Sequence, residues 1–153
     1  MSSPAEILDH ARKRDTSLPY AGAVTPQEAF ELLKADHHVR LIDVRTNAER
    51  DWVGRVAIAP EQHGAVQWNL YPGGTPNPDF VAQLSALVPN QDTVLLFLCR
   101  SGVRSRHAAK AATEHGYSAC FDILEGFEGD KDANGHRKSV GGWCKAGLPW
   151  QGA

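Results

Sequence analysis

Val94-Leu95-Leu96-Phe97-Leu98, running directly into Cys99-Arg100-Ser101-Gly102-Val103-Arg104-Ser105, decides how this chain folds. Thr93–Leu98 predicts a strand, and its unbroken apolar run leaves no polar face. Such a strand belongs at the centre of a sheet covered by helices on both sides. After Ser105 the chain changes character. A helix over about Ser105–His115 carries Ala108, Ala109, Ala111 and Ala112, small enough for close approach to the sheet, and Gly116 ends it. Open α/β sheets place ligands just beyond the carboxyl ends of their strands, the position that Cys99 occupies here.

Outward from this unit, strands and helices alternate. Ala119–Leu124 is the strand after the helix. Upstream, Asn77-Pro78 opens a helix with Phe80, Val81, Leu84, Leu87 and Val88 at helical spacing, which Pro89 stops. Ala65–Trp68 reads as a strand, Gly54 to Gly64 as irregular chain, and Leu41-Ile42-Asp43-Val44 as a short strand before a helix over Asn47–Trp52. Thr25-Pro26-Gln27-Glu28 combines an N-cap, a proline at the first helical position and a capping-box glutamate. A short helix over 4–14 puts Arg12-Lys13-Arg14 on a solvated face. This order predicts an open parallel sheet with helices on both faces, in one domain over 1–153. Residues 1–20 form an N-terminal helical extension, and 128–153 a C-terminal loop with a short helix near Trp143.

The net charge of −2 argues against a nucleic-acid partner, which normally leaves a basic footprint. No apolar run approaches the ~20 residues that cross a bilayer, and Met1 to Asp15 lacks the pattern of a signal peptide. Cys99, Cys120 and Cys144 are too few and too scattered for a disulfide framework or a zinc site. The expected setting is the cytoplasm, with a free thiol available for chemistry and no membrane partner.

The chemistry points to Cys99. Successive N–H groups of the loop can form an anion-binding nest, and the following helix adds its partial positive charge. Gly102 permits the tight turn, and Arg100 and Arg104 supply full charges. A free thiol ionises near pH ~8.5, and such surroundings lower that value. A thiolate nucleophile beside an anion site is therefore expected.

Cys-Arg-Ser-Gly-Val-Arg-Ser at 99–105 resembles the active-site loop of single-domain rhodaneses. Leu41-Ile42-Asp43-Val44-Arg45, with Glu49 beyond, resembles that family's "DVR" strand end. Gly116-Tyr117 before an apolar strand, and Glu125-Gly126-Phe127 after it, resemble two further family segments, in the family's order. The family usually has a Gly-His-Ile-Pro-Gly-Ala stretch after its second helix. Here Gly54-Arg55-Val56 leads into an insertion to Gly64 that contains His63, expected to alter one wall of the pocket.

The resemblance implies an open parallel five-stranded sheet and a sulfurtransferase without metal or organic cofactor. The Cys99 thiolate would take the outer sulfur of a small anionic donor such as thiosulfate. The resulting persulfide would sit among the N–H groups of 100–105 and pass its sulfur to a thiol or cyanide acceptor. Arg100, Ser101, Gly102, Val103, Arg104 and Ser105 would bind substrate. Asp43, Arg45 and Glu49 read as a structural ion-pair or hydrogen-bond set beneath the loop.

Other readings compete. Phosphatases and arsenate reductases of the same fold also use a cysteine, but cell-cycle phosphatases place an arginine after five intervening residues; here Arg104 follows four. Non-catalytic modules of this fold often lack the cysteine, and a redox sensor needs only a reactive one. Cys120 in an apolar strand reads as structural, and Cys144 as a bystander. Asp130-Lys131-Asp132-Ala133-Asn134-Gly135 imitates a calcium loop but lacks its final glutamate, and reads as a polar turn. His37-His38 reads as a surface pair at a helix end, and His107, on the helix after the loop, reads equally as facing the site or as solvated.

Overall fold

Leu95–Leu98 forms the middle strand of the sheet, each residue fully buried. In chain order, the computed structural model, which describes residues 3–152, contains α1 (Pro4–Arg14), β1 (Gly22–Val24), α2 (Pro26–Ala35), β2 (Arg40–Asp43), α3 (Asn47–Trp52), β3 (Arg55–Val56) and β4 (His63–Ala65). It continues with β5 (Asn69–Leu70), β6 (Thr75–Pro76), α4 (Phe80–Leu87), β7 (Leu95–Leu98), α5 (Val103–Glu114), β8 (Cys120–Ile123) and β9 (Trp150–Gln151). The main sheet has five strands in the order β1-β8-β7-β2-β4, every neighbouring pair parallel. This is the expected open α/β sheet.

Successive residues of β7 point to opposite faces. Leu96 and Leu98 pack with Ile7, Ala11, Ala29, Leu32 and Trp143, so α1 and α2 cover one face. Leu95 and Phe97 pack with Phe80, Leu84, Ala108, Ala109 and Ala112, so α4 and α5 cover the other. Burying each such Leu or Phe is worth about 1.5–3 kcal/mol. The alanine face of α5 lets that helix lie close to the sheet, which brings its first turn over the end of β7. Asp43 pairs in register with Leu98, so the chain leaving β2 and the chain leaving β7 start side by side. One continues toward β4 and the other toward β8, opening a crevice between them.

The caps follow local chemistry. Thr25 and Glu28 close a reciprocal capping box on α2. Thr46 and Glu49 form a second on α3, legible in the pattern Thr-Asn-Ala-Glu.

Several boundaries differ from expectation. The strand expected at Ala65–Trp68 lies at His63–Ala65, running through Gly64, where a Cβ would come within 2.6 Å of Leu87 Cδ2. Apolar patterning gives no signal for a strand that needs a glycine for clearance. The α4 helix starts at Phe80, because Asn77 spends its side chain on a turn: its oxygen accepts from Asp79 N–H, and its amide donates to Gln67 and Gln83. The helix over the loop begins at Val103, two residues early, with Gly102 as its left-handed N-cap (φ +101°).

The expected short helix near Trp143 does not form; among the described residues no helix follows α5. Gly142 (φ +98°) and Gly147 (φ +76°) turn the chain there instead. Arg14 is exposed, as expected of the Arg12-Lys13-Arg14 face, and from there it donates to Ala23 O at 2.6 Å and to Glu28 at 2.8 Å.

The 54–64 stretch is ordered rather than irregular. The β3 strand pairs antiparallel with β9, and Pro60–Gln62 is a short 3-10 turn. From it the Gln62 amide reaches the carbonyls of Leu33, Asp36 and Val39. Among the described residues, no helix is long and apolar enough to cross a membrane.

Candidate active site

The loop from Cys99 to Ser105 curls over the end of β7, and Cys99 lies at its floor, 1% exposed. The residue packs in the apolar cluster with Phe97 and Ala108, but its sulfur has polar neighbours in the loop. The Gly102 N–H points at Sγ at 3.1 Å, and Ser105 Oγ lies 3.3 Å from the same sulfur. The left-handed conformation of Gly102 aims that N–H inward.

The loop's carbonyls are held from outside. Phe127 N–H donates to Cys99 O at 2.8 Å, and Glu128 and Gly129 N–H donate to Arg100 O at 2.9 and 3.2 Å. These bonds draw the Cys99 and Arg100 carbonyls outward, while the Gly102 N–H faces the sulfur. The 125–129 turn makes these bonds because Glu125 and Gly126 both adopt positive φ (69° and 68°). Glu125 is anchored in turn by accepting from Gly142 N–H at 2.8 Å.

Gly126 has no room for a side chain: a Cβ would stand 2.6 Å from the Cys99 and Arg100 carbonyl oxygens. Gly126→Ala is therefore expected to push the loop off the turn, costing about 1–3 kcal/mol of stability. Thermal denaturation checks it, and an unchanged midpoint would show that the turn does not hold the loop.

The two arginines have separate fates. Arg104, in the first turn of α5, is gripped by Glu49 through Nη1–Oε1 at 2.7 Å and Nη2–Oε2 at 2.8 Å. Glu49 is the capping-box residue of α3, so one carboxylate closes that helix and clamps the next across the crevice. Burial resists its ionisation, but the hydrogen bonds and charge of Arg104, aided by Thr46, prevail and hold the carboxyl down at about 2. The same clamp holds the Arg104 guanidinium still higher than usual, against the effect of burial. Arg100 is exposed, and its side chain has no hydrogen-bond partner among the described residues. It lines a cleft of about 590 Å³ with Glu49, Lys131, His136 and Arg137.

Glu49 was expected beside Asp43 and Arg45, and the structure places it on Arg104 instead. The expectation failed because a glutamate two residues beyond a helix start shows its cap in sequence but not its long-range partner. Glu49→Gln is expected to cost about 1.5–3 kcal/mol, as lost charge-assisted hydrogen bonds do. The stabilisation is present above the ordinary glutamate value of about 4.3. It is lost as pH falls toward about 2. Denaturation midpoints of wild type and E49Q should therefore differ at neutral pH and converge in acid, and a constant gap would contradict the clamp.

Asp43 and Arg45 are both fully buried and paired: Nη2 lies 2.7 Å and Nε 3.0 Å from the Asp43 carboxylate oxygens. Arg45 also donates to Gly54 O at 2.8 Å, and its guanidinium carbon sits 4.4 Å over the Phe127 ring. The pair thus ties the end of β2 to the 125–129 turn beneath the loop.

Ser101 is half-buried, Val103 is exposed and Ser105 is fully buried. Ser105 Oγ also donates to Asp122 Oδ1 at 2.5 Å. Asp122 went unnoticed because a single carboxylate within Ala119–Leu124 gives no pattern. Lys131 was read only as part of a polar turn, and His136 and Arg137 just beyond it were assigned no role; Asp132 organises this turn by accepting from Asn134 and His136 N–H and from Ser139. His63 is not at the loop. It pairs in register with Leu41 on the edge of the sheet and lines a different cleft, and burial lowers its pKa. Trp68 packs edge-on against Phe80 at 4.9 Å, and His107 is exposed. Exposed His37 and His38 bring ligand atoms within 4.8 Å of one another and of Asp36, ahead of β2 and away from the loop.

Cys99 thus lies on the floor of a loop, before a helix and at the switch point of a parallel sheet. The rhodanese-like domain model matches residues 25–133, and the chain belongs to that family. An uncharacterized Rickettsia conorii protein, RC0915, is 32% identical over 126 residues, covering 81% of this chain and 92% of that one. The thiosulfate sulfurtransferase GlpE of Haemophilus influenzae is 29% identical over 126 residues, covering 82% and 90%. The crystal structure of Rv0390 from M. tuberculosis superposes with a TM-score of 0.80 at 40% identity, covering 88% of this chain and 99% of that one. The chain is thus a rhodanese-like domain with distant sulfurtransferase relatives.

Proposed function

We propose that this protein is a sulfurtransferase moving a sulfane sulfur from a small anionic donor such as thiosulfate to a thiol or cyanide acceptor. The observation that carries the reading is the Gly102 N–H held 3.1 Å from Cys99 Sγ, with the loop carbonyls pinned outward. The Cys99 thiolate attacks the outer sulfur of thiosulfate, the donor's S–S bond breaks, and sulfite leaves with the bonding electrons. A new S–S bond of about 2 Å carries the charge away from the floor toward the loop's mouth, where the amides of 100–105 receive it. The acceptor then attacks the outer sulfur and releases Cys99 as thiolate. Arg104, fixed by Glu49, supplies charge at the nest, and unpartnered Arg100 draws anions from the cleft. The chemistry needs no metal or organic cofactor. The three free thiols suit a reducing compartment, the cytoplasm.

The test is intact mass after thiosulfate treatment. One added sulfur on the peptide containing Cys99, removed by cyanide, is expected. Hydrolysis of an aryl phosphate with no sulfur uptake would favour a phosphatase.

A further inference from the structure

Beneath the nest lies a carboxylate that the sulfur-transfer scheme leaves unused. Asp122, on β8, is 1% exposed, with apolar Ala23 of β1 and Phe97 of β7 opposite it in register. Its side-chain hydrogen bond comes from Ser105 Oγ at 2.5 Å, and that oxygen lies 3.3 Å from Cys99 Sγ. Sulfur, hydroxyl and carboxylate thus form a continuous chain.

Isolated buried carboxylates are costly and tend to take up a proton. Burial pushes the Asp122 carboxyl up to about 7, against the Ser105 hydrogen bond and the charge of Arg106. Arg106, on α5, spends its Nε–H on Gly102 O at 2.9 Å. The Tyr20 phenol is the other titratable group facing Asp122, and burial, with Asp122 beside it, pushes Tyr20 up to about 12. On the sulfur side the facing charge is Arg104, with Glu49 behind it.

Ser105 has one hydroxyl proton and two neighbours that accept it. With Asp122 ionised, Ser105 donates to the carboxylate, and the Cys99 S–H donates to Ser105 Oγ. With Asp122 protonated, its O–H donates to Ser105 Oγ, and the hydroxyl proton turns to the sulfur anion. We propose that Asp122 is the internal proton acceptor for Cys99, acting through Ser105. In one step the S–H bond breaks and its proton goes to Ser105 Oγ. Ser105 gives its own proton to Asp122, and the negative charge moves from carboxylate to sulfur with nothing gained or lost. Asp122 thereby prevents a second buried charge from opposing the thiolate. This relay concerns the ionisation of Cys99 and holds whichever electrophile the sulfur attacks.

The experiment therefore uses no sulfur donor. Cys99 alkylation by iodoacetamide is followed by peptide mass against pH in wild type, Asp122→Asn and Ser105→Ala. The wild-type rate should require two ionisations, because the pair titrates jointly. In both variants the profile should collapse to one. In the wild type itself, alkylation removes the sulfur charge, so infrared difference spectra should show loss of protonated-carboxyl absorption; this arm needs no variant to fold. Superimposable profiles for wild type and D122N, or unchanged carboxyl absorption on alkylation, would overturn the relay. Failure to load sulfur while both relay signatures persist would strike the sulfurtransferase reading alone.

Discussion

Cys99→Ser is expected to abolish thiosulfate:cyanide transfer while the fold persists. The replacement is nearly isosteric, so the Gly102 N–H and Ser105 keep an oxygen partner where the sulfur stood, and no cavity opens around β7. The chemistry cannot survive. A serine hydroxyl does not ionise near neutrality and forms no persulfide, so the loss should exceed roughly 10³-fold, the scale seen when a covalent nucleophile is removed. Neither remaining thiol can substitute. Burial pushes Cys120 up to about 11, and burial does the same for Cys144, despite Lys138 nearby. Both are therefore protonated at neutral pH, and the thiolate is the form that attacks. The checks are steady-state transfer, circular dichroism, and sulfur mapping by mass spectrometry. Residual activity above about a hundredth of wild type, or sulfur recovered on Cys120 or Cys144, would refute the assignment.

The second large effect is on stability. Asp43→Asn should destabilise the protein by about 3–5 kcal/mol, because it strands a buried guanidinium. Both partners of the Asp43–Arg45 pair are 0% exposed, and among the described residues Arg45 Nη1 already lacks a hydrogen-bond partner. Without the carboxylate, Gly54 O and the Phe127 ring would be left to face the charge. At about 2–4 °C per kcal/mol for a chain of this size, the midpoint should fall by roughly 10 °C. Apolar replacement of both residues should cost less than the single change, since a buried pair returns little more than its own desolvation. Urea denaturation of the single and double variants gives the comparison. A single-variant cost below about 1 kcal/mol would mean that solvent reaches Arg45 and the pair is no anchor.

Particular residues show how far the sequence reached. The Val94–Leu98 run predicts the central strand because only a strand buried on both faces tolerates five apolar residues in succession. Cys99 and Gly102 were legible together for the same local reason: a strand end, a tight turn and a helix start within one short segment constrain each other. The capping box at Thr25–Glu28 is equally local. The strand through Gly64 escaped, since its glycine answers to the Leu87 side chain of α4. The short helix near Trp143 failed, because its apolar residues pack in turns pinned by Gly126 O and Phe127 O.

By itself the sequence determined the alternating α/β order, the all-parallel sheet and the loop that presents a cysteine at a strand's end. These follow from hydrophobic periodicity and turn chemistry, which act over a few residues. Tertiary structure alone decided that Glu49 clamps Arg104 and that Asp122 lies behind Ser105. Those partners are 55 and 17 residues apart in the chain. Their attraction operates over a few ångströms, so it has no expression until the sheet and its helices bring them together.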